Sequence, residues 1–234
     1  MTKARDTANL TGSGVTLPLL DIDAGTDIGA ALVDADLMIV DDGAGGTNRK
    51  ATMSRLATYM GTKIGGGMEF LASSGAMSSA ASATFTQFDS SKYDHYKFYF
   101  MYVKPATDDV KLHAFISTDG GSNYDTTASN YIFNGTNTSS EGFKINSSCS
   151  AGNGTNEYGV SGSLFLFGPH LTNYTYAITN ALVMDVSGNA FIGATGSSTA
   201  TIHKVAADVD AMKFVFSSGN IASGEITMFG VVNS

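Results

Sequence analysis

The chain has 234 residues, of which 15% are charged, with 21 acidic and 13 basic side chains and a formal net charge of −8. That balance argues against a nucleic-acid partner and against an anionic membrane surface, because both need clustered Lys and Arg. With so few charges and abundant Ser, Thr and Asn, solubility rests on neutral hydrogen-bonding groups. This suits a particle-bound or extracellular β protein long enough for a small module plus a medium-sized core.

Met1 to Gly14 is polar and reads as a frayed end. It lacks the apolar run of a secretory signal, and no stretch is long enough to cross a bilayer, so no membrane insertion is expected. Thr16 to Asp42 carries seven aspartates and no basic residue; its two apolar runs, Leu17 to Leu20 and Leu37 to Val40, read as short strands. Asp21-Ile22-Asp23 begins like a calcium loop but lacks its closing Glu, so solvated aspartates are preferred over a metal site.

Gly43-Ala44-Gly45-Gly46 breaks the second run, after which Thr47 or Asn48 is placed to cap a helix. Met53, Leu56, Ala57 and Met60 recur at helical spacing, which predicts a helix over about 48–60. The order strand, glycine turn, helix invites a phosphate-binding reading. We reject it, because Gly46-Thr47-Asn48-Arg49-Lys50-Ala51 breaks the spacing of that motif. Residues 61–67 are a joint by composition. The chain is therefore divided into a strand-turn-helix module, 1–67, for attachment or oligomerisation, and a second domain, 68–234.

The second domain reads as all β. Ala72 to Ala83 is small and polar, a covering loop. Tyr93 to Val103 alternates, with Tyr96, Phe98, Phe100 and Tyr102 on one face and His95, Lys97, Tyr99 and Met101 on the other. Aromatics on both faces make it a central strand. Lys104 to Asp109 supplies a Pro-containing reversal, and Val110 to Ser117 returns as the second strand of a hairpin. Further short strands are expected at 143–146, 158–167, 173–177, 181–187, 190–194, 199–206, 211–216 and 225–232, separated by Gly/Ser/Asn turns. This is the pattern of an antiparallel β-sandwich, jelly-roll-like, with no helix after Gly67.

No catalytic constellation stands out, and no cofactor is expected. Cys149 has only serines near it and reads as a bystander. His95, His113, His170 and His203 form no short metal-binding pattern, although His95 and His113 could meet across the hairpin. Glycan cleavage needs two carboxylates facing each other across a cleft. Asp94, Asp108, Asp109, Asp119, Glu141, Glu157, Asp208 and Asp210 fall mostly in turns, which explains them without chemistry. Recognition is better supported. Asn123, Tyr124 and Asp125, with Asn130 and Tyr131, place tyrosines among hydrogen-bonding groups, a combination that suits a sugar face. Packing of both tyrosines against a neighbouring subunit is an equal reading.

Three stretches resemble tail-fibre-like and other virion surface proteins of tailed bacteriophages, particularly marine ones. They are Asp34 to Lys50, Tyr93 to Thr118, and the ending Gly224-Glu225-Ile226-Thr227-Met228-Phe229-Gly230-Val231, together with the opening MTKARD. They cover roughly half the chain, and such modules are shuffled among fibres and head decorations. The resemblance implies a non-enzymatic virion structural protein: a short homotrimeric tail fibre in which 1–67 docks to other virion proteins and 68–234 is a head for host adsorption, with a host surface glycan as the candidate ligand. It equally admits a capsid decoration or head fibre. A free carbohydrate-binding or hydrolytic module is the remaining alternative.

Overall fold

The computed structural model describes residues 27–41, 48–63, 67–133, 136–137, 142–146, 149–192 and 198–232. The expected strand Leu17 to Leu20, the Asp21/Asp23 pair, the glycine turn at 43–46 and residues 64–66 of the joint lie outside them. The chain divides into two compact units, 1–63 and 64–234.

In the first unit β1 (Leu37–Asp41) pairs antiparallel with β2 (Asn48–Thr52), and α1 (Met53–Lys63) follows directly. The helix thus starts later than its spacing suggested, because residues 48–52 find a strand partner in β1. Its cap is Thr52, not Thr47 or Asn48: the Thr52 hydroxyl accepts from the Arg55 N–H at 3.4 Å, and the free Met53 N–H donates to the Asp36 carbonyl at 2.9 Å. Among the described residues no helix is long and apolar enough to cross a membrane.

The second unit is built from β3 (Met68–Ser73), β4 (Ala83–Phe85), β5 (Tyr93–Pro105), β6 (Leu112–Ser117), β7 (Tyr131–Phe133), β8 (Thr136–Asn137), β9 (Phe143–Lys144), β10 (Val160–Phe167), β11 (Thr175–Met184), β12 (Ala190–Ile192), β13 (Ser198–His203), β14 (Ala211–Phe216) and β15 (Ile221–Val232). All pairings are antiparallel. One sheet of nine strands runs β3-β15-β5-β10-β11-β13-β7-β8, with β12 beside β11, and a smaller sheet runs β4-β14-β6-β9. The two sheets share one core, so the unit is mainly β and sandwich-like.

That core is aromatic where the sheets meet. Phe98 of β5 lies edge-on to Phe85 of β4 at 5.4 Å and to Phe214 of β14 at 5.2 Å, and Phe100 meets the same Phe214 at 5.4 Å. All four rings are buried, and edge-to-face contact adds to their burial energy. β5 is central in the large sheet, between β15 and β10.

The expected hairpin is instead a corner between the sheets. β5 belongs to the large sheet and β6 to the small one, so His95 and His113 are not cross-strand neighbours. The polar groups of the connection bond to distant segments and not back to β5: Ala106 N–H to the Asn220 carbonyl at 2.9 Å, Asn153 N–H to the Asp108 carboxylate at 3.0 Å, and Val110 in a bridge with Ala151. A second difference falls within β5. Tyr102 has φ 50° and 58% exposure, whereas Phe100 and Val103 are buried. Phe100 opposes Gly162 and Val103 opposes Val160, so two residues of β5 face one of β10. This bulge turns Tyr102 off the inner face.

Several strands differ from their predicted limits. Residues 173–177 and 181–187 fuse into the continuous β11, because Thr175, Ala177, Thr179, Ala181 and Val183 all alternate inward with no Gly or Pro to interrupt them. β3 was not anticipated, and Met77, in the expected covering loop, is buried in the core. The outward face of the large sheet is also apolar. One cross-strand row over six strands reads Met68, Val231, His95, Phe167, Tyr176, Ile202.

Because Phe98 joins the two sheets at full burial, Phe98→Ala is expected to lower unfolding free energy by about 3–5 kcal/mol and Phe98→Leu by clearly less. Urea denaturation followed by far-UV circular dichroism measures both; equal losses would mean the ring's shape is not what the core uses.

Candidate functional site

The loop from Ser117 to Tyr131 folds over the end of the small sheet. Two aspartates organise it. Asp119 accepts from the Asn123 side-chain amide at 2.7 Å, the Asn123 N–H at 2.8 Å and the Ser117 hydroxyl at 2.7 Å. These bonds, the Asn123 amide first, draw its carboxyl down to about 2. Gly121, at φ 84°, turns the chain where a side chain would press on the Tyr124 hydroxyl and Thr86. The neighbouring Gly120 N–H donates to Asp210 at 2.9 Å.

Asp125 is the second organiser. Its N–H donates to the Ile116 carbonyl at 2.9 Å, which ties the loop to β6. Its carboxylate accepts from His203 Nε2 at 2.8 Å, from the Asn130 amide at 2.7 Å and from the Thr127 N–H at 2.8 Å. Burial pushes the Asp125 carboxyl up, but the bonds from His203, Asn130 and Thr127 outweigh it and bring it to about 2. An ionised carboxylate only accepts, so His203 Nε2 carries the proton. His203 is itself 1% exposed, and its Nδ1 has no hydrogen-bond partner among the described residues.

These residues line a hollow of about 330 Å³ with Ser117, Thr118 and Val205. Of the five residues singled out from the sequence, Asn123, Tyr124, Asp125 and Asn130 come together there. Tyr131 does not belong with them. It is fully buried on β7, its ring 5.4 Å from Phe143 and 4.9 Å from His203. Its hydroxyl donates to the Asp125 carbonyl at 2.8 Å, so it pins the loop from below and offers no face to a ligand. Tyr124 is half-buried and not fully exposed, with the Lys213 ammonium 4.2 Å from its ring centre.

Sequence reasoning passed over His203 as one of four scattered histidines. The available signal was its parity: on β13, Thr201 and His203 point inward while Ala200 and Ile202 point outward. A histidine at an inward position needs a polar partner.

The carboxylates considered for glycan cleavage do not converge on this hollow apart from Asp119, which is engaged by Asn123 and Ser117; Glu141 lies outside the described residues. Among the described residues no group of three His, Cys, Asp or Glu side chains is placed to hold a metal ion. Cys149 is half-buried, and burial raises its thiol. What remains available chemically is hydrogen bonding: the amide oxygens of Asn123 and Asn130 have no partner among the described residues, and each side chain is held by an aspartate.

The lowered Asp125 carboxyl makes this loop acid-sensitive. Its stabilisation is complete above the unfolded value of about 4 and is lost as pH falls toward about 2. Asp125→Asn is therefore expected to cost about 2 kcal/mol at neutral pH and to flatten the decline in stability between about pH 4 and pH 2, read from thermal melts across that range. A variant that keeps the wild-type acid slope would remove Asp125 as its source. No protein-family model matches this chain, and no curated protein matches it.

Proposed function

We propose that this chain is a non-enzymatic virion surface protein of a tailed bacteriophage, a short trimeric fibre in which the first unit attaches to the particle and the second is an adsorption head. The observation that carries this reading is the state of the first unit: not one described side chain between residues 27 and 61 is buried. Leu32, ahead of β1, at 64% exposure, and Leu37 at 58%, Ile39 at 55% and Tyr59 at 58%, on the strand pair and the helix, stand in solvent, and the described residues of the unit enclose no core. Elements of this kind complete their burial on something else, either other copies or a particle. The resemblance of Asp34 to Lys50 to phage structural proteins points to the particle.

In the head, the hollow bounded by Asn123, Tyr124, Asp125 and Asn130 is the adsorption site. Its amides are pre-set by Asp119 and Asp125, so a sugar hydroxyl meets fixed partners and little ordering cost accrues on binding. Lys213 over Tyr124 keeps that ring from rotating freely. The ligand class is a host surface glycan bound through hydroxyls and one apolar edge.

Adsorption competition tests the reading. The purified full-length chain is expected to slow attachment of particles to host cells in a saturable way, and Asn123→Ala, an exposed substitution, to weaken that competition by about tenfold. Failure of the wild-type chain to compete, or release of reducing ends from host polysaccharide by the purified chain, would overturn it.

A further inference from the structure

The outward face of the nine-stranded sheet carries a second apolar row beside the one already described: Phe70, Phe229, Lys97, Phe165, Ile178 and Ala200, again in register over six strands. The rings of the two rows are in contact. Phe165 and Phe167 lie 4.5 Å apart, His95 is 5.6 Å from Phe167, and Phe70 is 5.8 Å from Phe229. Phe70 is 57% exposed, Ile178 51% and Tyr176 49%. An antiparallel sheet with one wet face normally alternates apolar inside and polar outside. Here these two rows of the outer face are apolar as well, and among the described residues of the second unit no strand or helix lies over them.

We propose that this face is where copies of the chain meet, the outer face of each large sheet packing against neighbouring copies around a common symmetry axis. Charge is the first argument. The chain carries −8, so copies approaching through most of the surface set acid against acid. The two rows hold a single formal charge, Lys97, whose ammonium sits 4.8 Å from the ring centre of Tyr99. Close approach is therefore least opposed here.

Area is the second argument. Six strands span about 24 Å, and the two side-chain levels along them about 14 Å, giving on the order of 340 Å² in projection. Side-chain relief raises the accessible area above that, into the range of the smaller protein–protein interfaces. Such a patch is on the scale of the largest apolar patch that a monomer carries, which is often a functional surface. Shape is the third. Two hollows flank the exposed rings, one of about 600 Å³ around Tyr99, Met101 and Phe229 and one of about 430 Å³ around His95, Phe167 and Tyr174. A neighbouring copy's Phe70, Ile178 or Tyr176 fits such depressions in sheet-on-sheet packing.

This interface deepens the oligomeric part of the proposed function and rests on it only for the number of copies; it does not require a phage particle or a glycan. The test is sedimentation velocity on the full-length chain over a concentration series, with Ile178→Glu and, as a control of equal charge, Thr84→Glu, exposed on β4 of the small sheet. The wild type is expected to sediment as a multiple of 24.3 kDa. I178E is expected to weaken association by more than about tenfold, and T84E to leave it unchanged.

A wild-type monomer up to about 100 µM, weaker than an interface of this size sustains, would overturn the proposal. So would an oligomer indifferent to I178E, or one that both variants disrupt equally. If I178E fails to fold, hydroxyl-radical footprinting of the wild type decides. Protection of Phe70 and Tyr176 that rises with assembly supports the interface. Protection already present in the monomer assigns the face to the chain's own residues, and no protection in the oligomer places the contact elsewhere; either result overturns it.

Discussion

Contact between the inner face of β5 and the facing small sheet governs the second unit. Phe98 and Phe100 reach across to Phe85 and Phe214, with Tyr96 beside them, and all are buried. Edge-to-face packing of rings this size leaves little freedom in how far apart the sheets stand or how they are rotated. The rest follows from where that strand goes next. β5 leaves the large sheet at Pro105, the chain crosses to the small sheet as β6, and every residue of β6 is buried. A strand buried on both faces needs a cover on its second side, and the loop from Ser117 to Tyr131 supplies part of it.

The candidate site is therefore a by-product of covering β6 that has been given chemistry. Tyr131 and Asp125 fasten the loop by its backbone and side chains, and His203 reaches Asp125 from β13 in the other sheet. One carboxylate with three donors joins a loop, a 3-10 turn and a strand from opposite layers. The two lining aspartates stay ionised but are engaged by these bonds, so the unengaged groups at the hollow are amide and hydroxyl. That set favours an uncharged, hydroxyl-rich ligand over an anionic one.

Alternation made most of the β architecture legible. Tyr96, Phe98 and Phe100 inward, Thr175 to Val183 inward at every second position, and the glycine-rich turns all follow from local residues, and the mainly β, sandwich-like unit follows from them. The misses share a cause. Tyr102 leaves the inner face because of how Ser161 and Gly162 of β10 pair with it. The turn after Pro105 becomes a corner because its partners are Asn153 and Asn220, far along the chain. α1 starts late because β1 recruits residues 48–52. In the site, Asn123, Tyr124, Asp125 and Asn130 are close in sequence and could be grouped by eye. His203, 78 positions from Asp125, could not, and the burial of Tyr131 depends on Phe143 and β13.

Among the described residues, an outward apolar sheet face and a first unit with no buried side chain between 27 and 61 have one feature in common: apolar surface that these residues do not cover. A place in a larger assembly resolves both. The most direct measurement is gold-labelled antibody raised against residues 64–234, applied to intact particles from the source and viewed by electron microscopy. The account predicts label at the tail of the particle. Label spread over the head would turn the adsorption fibre into a shell decoration, and unlabelled particles with the protein free in the lysate would contradict a virion role altogether.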